Sequence, residues 1–317
     1  MNITVVILTY NSNWQKLKST IVSVVLQTNV NLKIVFADDG SSIKYNRDIV
    51  EFLKSLGFEE YEFNDLLMNQ GTVNNIYNAI KNLNCDYIKL LSPGDLLYDD
   101  KVLFNTIKYM SDNNADVTFG NAVYYSIIND IVKFIKSKSY PSFPLMFNNN
   151  ELYKHLFVDY VLANDTILGA NIIYKADVLK KYIELVRNRL KYAEDLIVKI
   201  MLIDNLKILY CDLDSIYYDY GSGISHSKAG NYKIENDRIA LEDIILEKYN
   251  NNNIVGNRIV NKYINFLFNR KRNRVLQKIF KYINYPEVIY WKIKRELIGK
   301  YSKIDCDKEY IVKLLNY

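Results

Sequence analysis

Apolar and polar positions change their spacing several times along the first two hundred residues. Residues 3–8 (ITVVIL) form an unbroken apolar run rich in β-branched side chains, the pattern of a strand buried on both faces. Polar Thr9, Asn11, Ser12 and Asn13 end the run, and helical spacing follows over about 16–26. A second buried strand at 33–37 (KIVFA) stops at Asp38-Asp39-Gly40-Ser41-Ser42. The next helix carries Ile49, Val50, Phe52, Leu53 and Leu56. An edge strand is expected at 59–64, a helix after Asn69-Gln70-Gly71-Thr72, and a strand at 86–91 that ends in Ser92-Pro93-Gly94-Asp95. Further strands are expected at 116–120, 123–128, 131–136, 166–174 and 207–213, with helices at 178–189 and 193–204. Beyond about residue 233 the pattern is wholly helical.

Repeated strand–loop–helix units predict an open, mostly parallel α/β sheet flanked by helices, followed by a helical C-terminal extension. In such sheets ligands sit outside the carboxyl ends of the strands. Thr9–Asn11, Asp38–Ser42 and Ser92–Asp95 each follow a strand end. Three polar clusters, distant in sequence, should therefore meet on one rim. The expected division is an α/β domain over 1–230 and a helical region over 231–317.

Composition narrows the class. The chain has 317 residues, 49% hydrophobic and 24% charged, which excludes wholesale disorder. Cys85, Cys211 and Cys306 are far apart and form no CxxC pair, so a disulfide framework and a Cys/His zinc site are not expected. The N-terminal run is short, lacks a basic leader and reads as a strand; no segment reaches the roughly 18 apolar residues of a membrane span. A cytoplasmic location is expected, peripheral contact with the inner face of the membrane included. The net charge of +5 is unevenly placed. Residues 258–300 hold twelve basic side chains against Glu287 and Glu296, a net +10, so the remainder carries −5. Phe266, Phe268, Ile279, Phe280, Ile283 and Ile289 interleave with those cations. Three readings stand for this segment: packing or homo-oligomer contact, a membrane surface, and nucleic acid. No recognition motif supports the last, and no nucleic acid partner is expected.

A strand ending in two carboxylates and a tight turn can accept from a nucleobase N–H, while free backbone amides meet ribose or phosphate. Asp-Gly is also ordinary turn chemistry, and either reading fits the cluster alone. The order of the clusters is more specific. VVILTYN, ADDGSS, NQG and YIKLLSPGD are followed about a hundred residues later by Ala193-Glu194-Asp195, and then by Tyr218-Asp219-Tyr220-Gly221-Ser222-Gly223-Ile224-Ser225. In order and spacing, residues 1–228 resemble the family 2 glycosyltransferases.

The resemblance implies a GT-A (Rossmann-like) catalytic domain over 1–230 and an inverting enzyme that transfers a hexose from a UDP-sugar. Its acceptor would be a hydroxyl of a glycan, a lipid-linked saccharide or a glycoprotein. Thr9, Tyr10 and Asn11 would line the uracil pocket; Asp39 would accept from the base, with Asp38 supporting the loop or ribose. Asn69 and Gly71 would border ribose and sugar. Where the family pattern carries an Arg-Asn pair, this chain has Asn74-Asn75. The metal motif departs further: the family's Asp-x-Asp-Asp reads Ser92, Pro93, Gly94, Asp95 here. Ser92, Gly94 and Asp95 would face the diphosphate, and a divalent cation (Mn²⁺ or Mg²⁺) would rest on Asp95 alone. Otherwise Asp95 only caps its turn. Asp195 would be the general base, with Glu194 orienting it or touching the donor. Two acids at a helix start also suit the helix dipole. His226 would reach the diphosphate from the glycine-rich loop, or be a surface histidine. His155 reads as structural; Trp14 as a wall of the nucleotide pocket or as packing. Two other classes remain in view: a nucleotide-sugar-binding scaffold without catalysis, and a sugar nucleotidyltransferase, against which the missing glycine-rich basic loop argues. No GxGxxG follows the first strand, which disfavours a dehydrogenase.

Overall fold

The computed structural model describes the chain apart from residues 130, 222–227, 250–256, 269–273, 305 and 307, with the backbone alone at 274–278. His226 lies outside the described residues. Strand β1 (Asn2–Thr9) is buried on both faces through Ile3, Val5, Val6 and Ile7, as its apolar run requires. Asn13 then caps helix α1 (Trp14–Val25), its side chain accepting from the Lys16 N–H at 3.0 Å. Leu17, Ile21 and Val24 recur at helical spacing and bury that helix against the sheet.

Strands β2 (Asn31–Asp38), β3 (Tyr61–Asp65) and β4 (Tyr87–Leu91) join β1 in parallel, in the order β3–β2–β1–β4. Helices α2 (Asn46–Ser55) and α3 (Thr72–Ile80) make the crossovers. The chain thus leaves β1 on one side toward β2 and returns on the other at β4. That reversal opens a crevice at the strand ends.

The second half of the sheet is mixed. After the two-residue β5 (Leu96–Leu97) and helix α4 (Val102–Asp112) comes β6 (Val117–Ile128), one strand where two were expected. The polar break near Asn121 is a bulge rather than a loop, seen as register shifts against the last strand between Phe119 and Ala122. The strand β7 (Ile131–Phe134) pairs with its end. Helix α5 (Tyr153–Phe157) leads into a π-helical turn, Val158–Leu162. The strand expected at 166–174 is only β8 (Ile172–Lys175), antiparallel to β4 and β6. Gly169–Asn171 is a 3₁₀ turn instead, fixed by Asn171, which donates to Gly120 O and accepts from Ser215 Oγ. Helix α6 (Ala176–Val186) follows, and the helix expected from 193 begins as a 3₁₀ turn, Glu194–Leu196, before α7 (Ile197–Ile203). The last strand, β9 (Ile208–Asp219), runs six residues past its expected end, parallel to β6.

The C-terminal helices are α8 (Lys228–Tyr249), α9 (Arg258–Phe268), α10 (Arg274–Asn284), α11 (Glu287–Ile298) and α12 (Glu309–Leu315). Leu241, Ile244 and Ile245 of α8, Val260 and Leu267 of α9, and Val288 and Trp291 of α11 enter the same apolar core as β4, β6 and α6. Ile311 and Leu314 of α12 close over Val22 and Leu96. None of the helices among the described residues is long and apolar enough to cross a membrane.

Because Ile245 is fully buried in the core shared with the sheet, Ile245→Ala should lower unfolding free energy by about 2–5 kcal/mol. Urea unfolding measures this, and an unchanged midpoint would mean that α8 adds nothing to the core.

Candidate active site

The ends of β1, β2 and β3 lie in register, with Thr9 beside Asp38 and Asp38 beside Asp65. Loop N–H groups beyond a strand end have no ladder partner, and here carboxylates supply one. Asp38 accepts from Thr9 Oγ1 (3.0 Å), Ser41 N (2.8 Å) and Ser41 Oγ (2.5 Å), which folds the loop back on its own strand. Asp39 accepts from Gln70 N (2.7 Å) on Oδ1, and from Asn69 Nδ2 and Gly71 N (both 2.9 Å) on Oδ2. It therefore organises the whole Asn69–Gly71 loop. Burial raises its carboxyl above the usual range, against the pull of those two amides.

Asn11, with φ of +46°, staples the first loop to the second. Its N–H donates to Ser41 Oγ (2.8 Å), and its side chain accepts from Ser42 N and Oγ. Asn75 donates to Ala37 O at 2.8 Å, so it braces β2 from α3. The Tyr10 ring stands half exposed on the rim. Trp14 stacks on Tyr45 with ring centroids 5.2 Å apart, which is packing. His155, exposed on α5, lies 5.7 Å from the Trp291 ring.

The turn Ser92–Asp95 sits at the end of β4. Thr20 Oγ1 accepts from Gly94 N (2.9 Å) and donates to Asp95 O, while Tyr125 donates to Gly94 O (2.6 Å). Asp95 closes the turn: its N–H donates to Ser92 O and its carboxylate accepts from Ser92 N. Gly94 has φ of +103°, and a Cβ there would lie 2.8 Å from Asp219 Oδ2. The Asp219 carboxylate, from the end of β9, thus occupies the space beside the bare position, where it is ion-paired with Lys16 of α1. Burial, and then the charge of Asp219, raise the Asp95 carboxyl to about 7. Lys89 on β4 is fully buried; its ammonium donates to Ala170 O at 2.5 Å, and burial lowers it to about 7. Among the described residues no three His, Cys, Asp or Glu side chains are grouped for a metal ion. Asp95 and Asp219 are the two carboxylates that flank Gly94.

Glu194 and Asp195 lie in the 3₁₀ turn that opens α7. The Lys191 carbonyl before this turn accepts from Val73 N (3.2 Å), and Asp237 of α8 takes up the amides of the same segment. It accepts from Lys191 N (3.1 Å), Tyr192 N (2.7 Å) and Ala193 N (2.8 Å). Asp195 Oδ2 accepts from Thr166 Oγ1 at 3.1 Å. Thr166 is held in turn: its N–H donates to Asp165 (3.0 Å), which also accepts from Ser142 N (2.8 Å). Arg295 of α11 pairs with Asp159 and lies 3.7 Å from Asp165, and it donates to Asp159 O and Ala163 O. Glu194 presses on Gly169, where a Cβ would stand 2.7 Å from its Oε1. Burial, reinforced by the charge of Asp195, raises Glu194 to about 8. Burial also raises Asp195, but Thr166, Arg238 and Lys199 oppose the rise. The half-buried Tyr218 phenol is raised by burial and then by the charges of Asp95, Asp219, Asp195 and Glu194. The four carboxylates, from three separate stretches of chain, thus all act on one phenol.

Thr9, Tyr10, Asn11, Asp38, Asp39, Asn69 and Gly71 form one group on the rim. Ser92, Gly94 and Asp95 form a second, with Glu194 and Asp195 beside it. Residues that sequence reasoning left unassigned complete the arrangement: Asp219, Asp237, Lys89, Thr166 and Arg295. Asp219 stood inside a recognised motif; the others carry no local signal.

This arrangement, a parallel half-sheet with carboxylate-stapled loops on its carboxyl rim and a mixed second half, is a GT-A-type fold. A family model described as Glycosyl transferase family 2 matches residues 4–198, and the chain belongs to that family. No match was found among curated proteins. Among solved structures, S. aureus TarS resembles the chain with a TM-score of 0.55 and 16% identity, over 92% of this chain and 49% of TarS. The chain thus spans about half the length of that protein. A crystal structure of S. aureus TarS 1-349 in complex with UDP-GlcNAc gives 0.56 and 15%, over 92% of this chain and 81% of the other. The same fragment in complex with UDP gives 0.53 and 14%, over 93% and 88%. At these identities the likeness is one of fold.

Asp237 is buried and accepts all three N–H groups of Lys191, Tyr192 and Ala193. Asp237→Ala should therefore cost about 2–4 kcal/mol of stability, read from chemical denaturation. A loss below about 0.5 kcal/mol would show that the Lys191–Ala193 turn holds itself.

Proposed function

We propose that the chain is an inverting glycosyltransferase that moves a hexose from a UDP-sugar to a hydroxyl of a glycan, a lipid-linked saccharide or a glycoprotein. The observation that carries this reading is the pairing of two unlike carboxyls, Glu194 and Asp195, beside a turn suited to a diphosphate. Their environments push them apart: Glu194, raised to about 8, holds a proton near neutral pH, which leaves the negative charge to Asp195. Asp195 then takes the proton of the acceptor hydroxyl as its oxygen attacks the anomeric carbon. The bond to the diphosphate breaks with its electron pair on UDP, through an oxocarbenium-like state that a nearby carboxylate favours. Thr166 fixes the direction in which Asp195 faces.

The donor would lie along the rim. Asp39 Oδ1 accepts one N–H from the protein and so retains a lone pair for the N–H of a uracil. Tyr10 offers a ring face, Thr9 and Asn11 line the base, and Asp38 holds the loop around it. Asn69 and Gly71 border ribose and sugar. Ser92, Gly94 and Asp95 would face the diphosphate through the exposed Ser92 end of their turn, since Asp219 fills the space beside Gly94, and His226 is assigned to the same diphosphate. Asp95 and Asp219 fit a divalent cation only as a two-carboxylate site, Asp219 providing the oxygen that position 94 lacks. Such an ion, Mn²⁺ or Mg²⁺, would neutralise the leaving diphosphate. Catalytic groups come from 1–230, with 231–317 as the helical buttress behind them. TarS is crystallised with UDP-GlcNAc and with UDP, which supports a uridine diphosphate donor.

A UDP-release screen across common UDP-sugars, with and without Mn²⁺, tests the reading; a scaffold would bind UDP without turnover. In the active pairing, Asp195→Asn should cut transfer by about 10²–10⁴-fold while UDP affinity stays within error. Near-normal transfer by the folded variant would remove the base assignment.

Thr166→Val makes a separate prediction about pH. The hydroxyl stabilises the charged form of Asp195, so its loss raises that carboxyl further. The base then stays protonated to higher pH, and the acidic limb of the kcat/KM profile should move upward. A limb that stays in place, or moves down, counts against the Thr166–Asp195 coupling.

A further inference from the structure

Beside the bulge of β6 lies a recess of about 230 Å³, walled chiefly by Asn121, Tyr124, Tyr140, Pro141, Pro144 and Lys300. None of these residues has a role in the donor site. Register places the recess on the rim. Tyr174 of β8 pairs with Ile88 of β4 and with Val117 of β6, and Ile173 pairs with Lys89 and Thr118. Counted along the two strands, Asn121 reaches the level of Ser92, at the carboxyl end of β4. The nucleotide group, at the ends of β1, β2 and β3, lies on the other side of β4. Two contacts tie the recess to the catalytic acids. The Tyr124 ring meets the Tyr218 ring edge-on, with centroids 5.6 Å apart. Ser142, next to Pro141, donates its N–H to Asp165 at 2.8 Å, and Asp165 holds the Thr166 that bonds Asp195.

The lining decides what the recess can hold. Tyr140 is 44% exposed, and Pro141 and Pro144 add apolar surface beside it. Lys300 supplies a fixed donor. Its ammonium gives one N–H to Asn121 Oδ1 (2.7 Å) and one to the Tyr210 hydroxyl (2.8 Å), which leaves a third. Asp212 lies 4.0 Å from that ammonium, and Lys303 pairs with Asp214 at 2.7 Å, so the two lysines are matched by two aspartates. Such a balanced surface has little to draw an anion. A flat ring with apolar neighbours and a few fixed donors suits a sugar, its C–H face on the ring and its hydroxyls on the donors. We propose that the recess binds a neutral monosaccharide unit of the acceptor, stacked on Tyr140 and bonded by Lys300, with a hydroxyl presented toward Asp195. The recess serves an acceptor only if the chain transfers a sugar, the reading on which this one rests.

Saturation-transfer NMR on the full chain with UDP tests it, with the methyl glycosides of glucose, galactose and N-acetylglucosamine as probes. At least one probe is expected to bind. Tyr140→Ala should weaken that binding by roughly 3- to 10-fold, whereas Tyr140→Phe, which keeps the ring, should retain it. Tyr140 is partly exposed, so the melting temperature of both variants should stay near that of the parent. UDP affinity, measured by calorimetry, should be the same in all three proteins. Binding of none of the probes to the parent, or binding to Tyr140→Ala as tight as to the parent, would overturn the proposal. The donor reading is scored apart from this. UDP binding with glycoside binding that ignores Tyr140 would remove the recess and leave the transfer reading standing. Tyr140-dependent glycoside binding with no UDP binding would do the reverse, leaving a sugar site without a transferase.

Discussion

Buried carboxylates that accept from backbone N–H groups are what the rest of this protein depends on. Beyond the carboxyl ends of its strands the chain has no ladder to satisfy its amides, and an unpaired buried N–H is costly. Asp38 closes the loop after β2, Asp39 closes the Asn69–Gly71 loop, and Asp237 closes the turn before Glu194. Each binds a stretch distant from its own or folds its own loop shut. Removing these acceptors would leave the sheet with loops but no defined rim.

The same arrangement sets the chemistry. Gathering acids out of water raises them, and proximity raises them further, so the cluster cannot be fully ionised at once. Burial raises Asp95 to about 7 and Glu194 to about 8, and the Thr166 hydroxyl opposes the rise at Asp195. Lys89, lowered to about 7 beneath the β4 end, belongs to the same balance. A structural device for closing loops thus becomes a set of carboxyls with unlike protonation.

The C-terminal helices extend this logic outside the matched family region, 4–198. Asp237 and Arg295 come from α8 and α11, yet one holds the turn before Glu194 and the other anchors Asp159 beside Asp165 and Thr166. The helices that look like an appendage by composition therefore bear on Asp195 from two sides. Their inner faces pack into the same core as the sheet.

The parallel half of the sheet was legible in the sequence because each strand is a continuous apolar run ended by turn residues. The rim groups were legible because they sit at those ends. Periodicity failed at residues 116–128 and 166–174, where a bulge and a 3₁₀ turn brace each other through side chains distant in sequence, such as Asn171 on Gly120. It also gave no hint of Asp237 or Arg295, whose partners lie more than forty residues away in the chain. The sequence by itself determined the strands and helices of the parallel half, and the family they compose, since both follow from local pattern and ordered motifs. Only the tertiary structure decided that Asp219 stands beside Gly94, and that burial raises Glu194 to about 8 while Thr166, Arg238 and Lys199 oppose the rise at Asp195. Those outcomes depend on burial and on charges brought together through space, which no local stretch of residues encodes.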